Sequence, residues 1–111
     1  MAAPIVLTLQ GVRSGPETVG NLVRLGVVIK NPATGAEVDP TTVRFLYLPP
    51  DERTATTLTH GTDVALSKTD TGVYYTNLTL SEPGVWAVRW EMDGTYVGAA
   101  EFSITVAPSA F

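Results

Sequence analysis

Cysteine is absent from this chain of 111 residues, and positive charge is scarce. Without cysteine, the protein has no disulfide, no thiolate nucleophile and no zinc–thiolate site. Lys30 and Lys68 are the only lysines, and the five arginines are scattered along a chain with a net charge of -4. Because neutralising phosphates requires clustered lysine and arginine, we expect no nucleic-acid partner.

Long apolar runs are also missing. No run approaches the roughly 20 residues that span a bilayer, so we expect no membrane partner. The opening segment, MAAPIVLTLQG, has no basic residues, and its apolar run is short for a secretory signal. If the chain begins at Met1, we expect it to stay in the compartment where it is made.

The sequence does contain repeated alternation of apolar and polar residues, the pattern of half-buried strands. No window shows sustained helical spacing, and turn-forming residues recur every ~8–12 positions. The pattern predicts an all-β, Ig-like Greek-key β-sandwich of about seven antiparallel strands in one domain, residues 1–106, followed by a short C-terminal tail, residues 107–111. The predicted strands are residues 5–9, 22–30, 42–48, 54–60, 73–80, 85–92 and 99–106, with a shorter strand around 64–66.

One phrase occurs twice: DTGVYY, beginning at Asp70, is followed twelve residues later by EPGVWA, beginning at Glu82. Each copy places an acidic residue and a glycine before an aromatic residue, Tyr74 or Trp86. We interpret the copies as two strand entries, in which glycine permits a tight corner and the aromatic residue packs inward. The aromatic N–H or O–H can then bond the turn backbone, and the acid can accept from nearby amides. A catalytic or metal-binding repeat is the alternative.

Candidates for chemistry are few. His60 is the only histidine, so a catalytic triad or a histidine metal site would need it, yet it stands in a polar connection without a nearby nucleophile. Glu82 with Glu91, or Glu91 with Asp93, could serve as hydrolase carboxylates, but a solvated surface is the preferred interpretation. We therefore predict no catalytic residue, no cofactor and no bound metal, and a protein that is not an enzyme. The acidic residues considered for calcium, without a recognisable calcium loop, are Asp39, Asp51, Glu52, Asp63 and Asp70.

Aromatic residues could instead bind sugars. Trp86 and Trp90 would stack on glycans if they were exposed, but their spacing places both on one strand face together with Val88. The pattern therefore predicts that both indoles lie in the core.

A candidate partner surface comes from apolar residues at outward positions. Leu46 and Leu48 alternate outward on one predicted strand, and Leu22 and Val28 do so on what we expect to be its neighbour. Phe111 could insert into a neighbouring subunit from the tail. The alternative is that a loop or the N-terminal segment covers these residues.

Several turn and core motifs carry a family resemblance. They are GNLVRL (residues 20–25), GAEVDPTTV (35–43), the Pro50–Asp51 turn, TGVY (71–74) and PGVWAVRW (83–90). Together they resemble small Ig-like domains encoded among the structural genes of tailed bacteriophages, over about residues 20–106. Similar modules also occur in bacterial surface proteins.

The resemblance implies a structural or binding role in a virion, as a capsid decoration or other head-associated protein made in the host cytoplasm. The expected partners are other virion proteins, capsid or tail subunits, and further copies of the chain within the particle. A tail or baseplate accessory or a surface module that binds host glycans or proteins is the alternative, and a small hydrolase is the rival from another class.

Overall fold

The computed structural model describes residues 3–11 and 17–108. Within these ranges the protein has ten β-strands and no helix. The strands are β1 (Ala3–Pro4), β2 (Val6–Gln10), β3 (Glu17–Thr18), β4 (Leu22–Lys30), β5 (Thr42–Leu48), β6 (Thr56–Thr59), β7 (Leu66–Asp70), β8 (Val73–Thr79), β9 (Gly84–Asp93) and β10 (Tyr96–Ala107).

The strands form two sheets packed around one core. The six-stranded sheet has the order β1–β10–β9–β5–β6, with β3 also paired to β10, and the four-stranded sheet has the order β2–β4–β8–β7. Most neighbours in a sheet are not consecutive in the chain, since β4 pairs with β8 and β5 pairs with β9. This connectivity confirms the predicted all-β, Ig-like Greek-key β-sandwich.

Two short strands depart from the prediction of seven antiparallel strands. β1 and β3 pair in parallel with opposite ends of β10. Between β1 and β2 the chain crosses from one sheet to the other at Ile5, which packs over Gly98; a Cβ at Gly98 would lie 2.7 Å from Ile5 Cγ1. Pairings of two residues are too short to alternate, so the sequence carries no signal for them.

The strand expected around residues 64–66 is displaced. Val64 lies in a turn and is 99% exposed, and β7 begins only at Leu66. The Asp63 carboxylate accepts a hydrogen bond of 2.8 Å from the Thr59 amide and shapes the preceding turn. β7 is a polar edge strand, and edge strands with little apolar surface to bury show little alternation.

The core contains the inward residues that alternation predicted on the strands at 73–80 and 85–92. Trp86 and Trp90 are 2% and 0% exposed, which confirms their assignment to the core. Phe45 meets Trp90 edge-on with ring centroids 4.8 Å apart, and Tyr47 stacks near Trp86 at 6.4 Å. The buried apolar residues are Val23, Leu25, Val27, Ile29, Val43, Phe45, Leu66, Tyr74, Leu78, Leu80, Trp86, Val88, Trp90, Met92 and Val106.

The repeated phrase marks two strand entries, as expected. Both corner glycines have a positive φ. Gly72 has a φ of 73° in the corner before β8, and Gly84, the first residue of β9, has a φ of 124°. Trp86 Nε1 donates to the Glu82 carbonyl at 3.0 Å, which is the predicted bond from the indole to its turn. In the first copy the partner differs, because the Tyr74 hydroxyl donates to Asp39 rather than to the turn backbone. At the C-terminal end, β10 continues to residue 107, one residue beyond the predicted domain end.

Candidate functional site

The outer face of the six-stranded sheet carries an open groove between β5 and β9. Alternation along β5 leaves Leu46 and Leu48 outward and half-buried, and β9 places Ala87 directly opposite Leu48. These residues form an open groove of about 450 Å³, which we call the β5–β9 groove. Its lining also includes Ala55, Arg89, Glu101 and Ser103. The structure therefore confirms that Leu46 and Leu48 lie together on an outer face.

A network of arginines and carboxylates borders this groove across β5, β9 and β10. Arg44 donates to Asp93 at 2.6 Å and to Glu91 at 3.4 Å. Arg89 donates to the other Glu91 oxygen at 2.6 Å and to Glu101 at 3.1 Å. Each arginine thus bridges two carboxylates, and Glu91 joins both arginines. The outer face consequently has an apolar end and a charged end whose side chains are held in place.

The network also determines the titration of Glu91. The hydrogen bond from Arg89, followed by that from Arg44, lowers the pKa of Glu91 below its ordinary value of 4.5, although partial burial opposes the change. A general acid in glycoside hydrolysis requires a raised pKa, so this shift has the opposite direction. Glu82 lies in the turn before β9, apart from this network, so the pair Glu82 and Glu91 is not brought together, whereas Glu91 and Asp93 both bind Arg44.

The expected single patch that joins Leu22 and Val28 to Leu46 and Leu48 is wrong. Leu22 and Val28 lie on β4, which belongs to the four-stranded sheet, whereas Leu46 and Leu48 lie on β5 in the other sheet. β4 and β5 are consecutive in the chain, but the connection between them passes from one sheet to the other. Their outward residues therefore face opposite sides of the sandwich. Phe111 lies outside the described residues.

The outer face of the four-stranded sheet has a different character. Arg24 lies over the ring of Tyr75, with the guanidinium carbon 4.1 Å from the ring centroid, and donates to Asn77 at 3.5 Å. Leu22 on the same strand is 64% exposed, and Val28 is half-buried. Tyr75 was not among the residues predicted to form a site, although the alternation of β8 indicates its outward position.

Asp39 is the most connected carboxylate in the part of the chain that the structure describes, although from the sequence it was only one of five acidic residues considered for calcium. Its Oδ1 accepts from the Gly72 amide at 2.7 Å and from the Tyr74 hydroxyl at 3.2 Å, and its Oδ2 accepts from Lys68 at 2.7 Å. Partial burial would raise the pKa of Asp39, but the hydrogen bonds from Lys68 and Gly72 outweigh it and lower the pKa. Asp39 therefore fastens the β4–β5 connection to the corner before β8.

Other acidic candidates for calcium also bind backbone groups. Asp70 accepts from the Thr71 amide at 2.8 Å, and Asp63 binds the Thr59 amide. Across residues 3–11 and 17–108, no group of three or more histidine or carboxylate side chains has an arrangement that could hold a metal ion. His60 is exposed, and its ring packs edge-on against Tyr74 with centroids 5.1 Å apart.

Neither models of protein families nor curated proteins yield a match to this chain. In the described ranges, no helix has the length and apolar character needed to cross a bilayer.

Proposed function

We propose that this protein is a non-enzymatic structural component of a tailed-bacteriophage particle, a capsid decoration or other head-associated protein that docks on neighbouring virion subunits. The proposal combines the resemblance of its turn and core motifs to phage Ig-like domains with the surface that the sandwich presents. We therefore assign subunit docking to an outer face of the sandwich, whereas the buried core stabilises the fold.

The observation that carries the proposal is the β5–β9 groove. It brings Leu46, Leu48 and Ala87 together beside the charged side chains of Arg89 and Glu101. Protein interfaces commonly have an apolar centre and a polar rim, and an apolar groove bordered by ordered charges matches that composition.

Reconstruction of the virion is the direct test. We expect density for one Ig-like sandwich per binding site on the capsid surface, with the β5–β9 groove turned toward the shell. Particles that lack such density, and whose protein composition is unchanged when the gene is deleted, would contradict the proposal.

A pair of variants on opposite faces tests the choice of surface. Leu46→Glu and Ala87→Glu each place a charge in the groove, and Ala87 is exposed, so its replacement should disturb the fold little. Leu22→Glu is the matched control, because it introduces the same charge on the other sheet. We expect both groove variants to fold but to bind purified particles at least about tenfold more weakly, a loss of about 1.4 kcal/mol. Equal loss with Leu22→Glu, or none with the groove variants, would reject this face.

A further inference from the structure

A second concave site lies between the two sheets, and Tyr47 lines both this site and the β5–β9 groove. At this side of the sandwich β5 and β6 of one sheet approach β8 of the other, and the space between them has a volume of about 410 Å³. We call it the inter-sheet cleft. Ligand pockets of small organic molecules have volumes of roughly 300–1,000 Å³ and are lined by apolar and aromatic residues with a few polar groups. The inter-sheet cleft has a volume in this range, and its lining is divided about evenly between apolar or aromatic residues and polar ones.

One wall of the cleft is aromatic. Tyr47 and Trp86 lie nearly parallel, with an interplanar angle of 26° and centroids 6.4 Å apart. Trp86 is buried, whereas Tyr47 is only half-buried and lines the cleft. Leu58 and Leu78 extend the apolar surface from the two sheets. This wall can cover the apolar stem of a ligand.

The formal charges that line the cleft are negative. The acidic residues that line it are Glu52 and Glu82, and its described lining includes no lysine, arginine or histidine. Glu82 Oε2 is buried and receives no hydrogen bond from any residue in the described ranges. A buried acceptor without a donor is unfavourable, because it has lost its hydrogen bonds to water without replacement. A ligand that brings N–H donors and positive charge would relieve this cost.

The position of Glu82 is set by the fold. Trp86 Nε1 donates to the Glu82 carbonyl oxygen at 3.0 Å, so the turn that carries the carboxylate is attached to the aromatic wall. The backbone of the turn at Glu82 is therefore fixed, so binding requires only the glutamate side chain to reorient toward the cation, which limits the cost of binding.

We propose that the inter-sheet cleft binds an organic cation, an alkylammonium or alkylguanidinium group, whose stem packs on Tyr47 and whose N–H groups donate to Glu82. Hydrogen bonds between a charged donor and a carboxylate are the strongest available to such a site, and aromatic faces also attract cations. The same chemistry is offered by a free small molecule and by a lysine or arginine side chain of a partner protein. This site goes beyond the proposed docking function and does not depend on it.

The test uses n-butylguanidinium as probe and the two indole N–H groups as reporters. The chain has two tryptophans, so we expect two indole N–H signals in a spectrum of the nitrogen-15-labelled full chain. We expect the Trp86 signal to shift with saturation at millimolar probe, while Trp90, which is 0% exposed and does not line the cleft, stays unchanged. Absence of a saturable Trp86 shift, or equal shifts of both indoles, would overturn the proposal.

Charge controls separate a cation site from a merely apolar one. Glu82→Gln keeps the size of the side chain and should weaken binding at least about tenfold. Glu101→Gln, which removes a carboxylate from the outer face, is the matched control and should bind normally. Glu52→Gln should give a smaller loss, because Glu52 is exposed. If n-pentanol binds as tightly as the cation, or Glu82→Gln binds like the original chain, the assignment is wrong.

A third comparison identifies the source of the cation. The peptide Gly-Arg-Gly-amide carries the same guanidinium on a peptide backbone. Tighter binding of the peptide than of n-butylguanidinium indicates a partner side chain, and weaker binding indicates a small molecule. The Leu46→Glu variant should retain cation binding in either case, so failure of particle docking and failure of this site can be told apart.

Discussion

Replacing Gly72 with alanine is expected to destabilise the protein by about 2–4 kcal/mol, far more than the same change at Gly35. The two glycines have nearly identical φ values, 73° and 74°, so the conformational cost of a side chain is matched. That cost is about 1–2 kcal/mol, and the reduced freedom of the unfolded chain offsets about 0.4–1 kcal/mol of it. Gly35→Ala should therefore lose only about 1 kcal/mol.

The difference arises from what surrounds each position. A Cβ at Gly72 would lie 2.7 Å from the Ile29 carbonyl oxygen and 3.0 Å from backbone atoms of Val38, whereas nothing lies within 4 Å of one at Gly35. The Gly72 amide also donates to Asp39, and its carbonyl accepts from the Ile29 amide at 2.8 Å. Overpacking against backbone typically costs about 1–3 kcal/mol beyond the φ term, since these atoms cannot rotate away.

Urea unfolding followed by tryptophan fluorescence measures both variants. We expect a lower midpoint with an unchanged slope for each, and a decrease in Tm of about 4 °C per kcal/mol for a domain near this size. If both substitutions lower the free energy of unfolding equally, the prediction is wrong. That result would show that the close contact of the Gly72 corner with β4 adds nothing to the cost of a side chain there.

Three further changes test the electrostatics. The pKa of Asp39 in the folded protein is below its ordinary value of 3.8, so its contribution to stability is present above pH 3.8 and is lost as the pH falls through the folded pKa. Asp39→Asn should therefore lower the free energy of unfolding by about 1 kcal/mol at pH 7 and by little in acid. Equal losses at the two pH values in urea unfolding would contradict this. Burial and the nearby Asp39 carboxylate raise the pKa of Tyr74 to about 12 from 10.0. The contribution of the neutral Tyr74 phenol to folding stability is therefore complete below pH 10 and is lost as the pH rises toward 12. An ultraviolet titration should show a late phenol step that is absent in Tyr74→Phe and earlier in Asp39→Asn; a late step that survives in Tyr74→Phe would reject the assignment. Glu91→Gln should lower the free energy of unfolding by about 1 kcal/mol in low salt and by less in high salt, because Arg44 and Arg89 both lose a charged partner. A loss of stability that does not depend on salt would show that packing, and not charge, is responsible.

The core faces of the long strands were predictable from local pattern. Trp86, Val88, Trp90 and Met92 occupy alternate positions of β9, and all four are buried. Alternation identifies such a face because successive side chains in a strand point to opposite sides. The corner glycines and the indole-to-turn bond in the second copy of the repeat were predictable for the same reason, since all the groups lie within a few residues of each other.

The candidate sites were only partly predictable. The outward position of Leu46 and Leu48 came from alternation alone, but the groove also needs Ala87 and Ser103 from strands that lie far away in the chain. The inter-sheet cleft combines residues from both sheets, and its carboxylate, Glu82, was predicted from the sequence only as a turn residue or a hydrolase candidate. No local pattern indicates which side chains become neighbours across a gap between sheets.

The sequence by itself determined the strand class, the inward faces and the glycine corners, because each depends on interactions between residues a few positions apart. Only the tertiary structure decided which sheet each strand joins, and thereby sent Leu22 and Leu46 to opposite faces. It also brought Asp39 to Tyr74, 35 residues away in the chain. Such pairings arise from the burial of whole sheet faces against each other, a property of the assembled chain that no single segment contains.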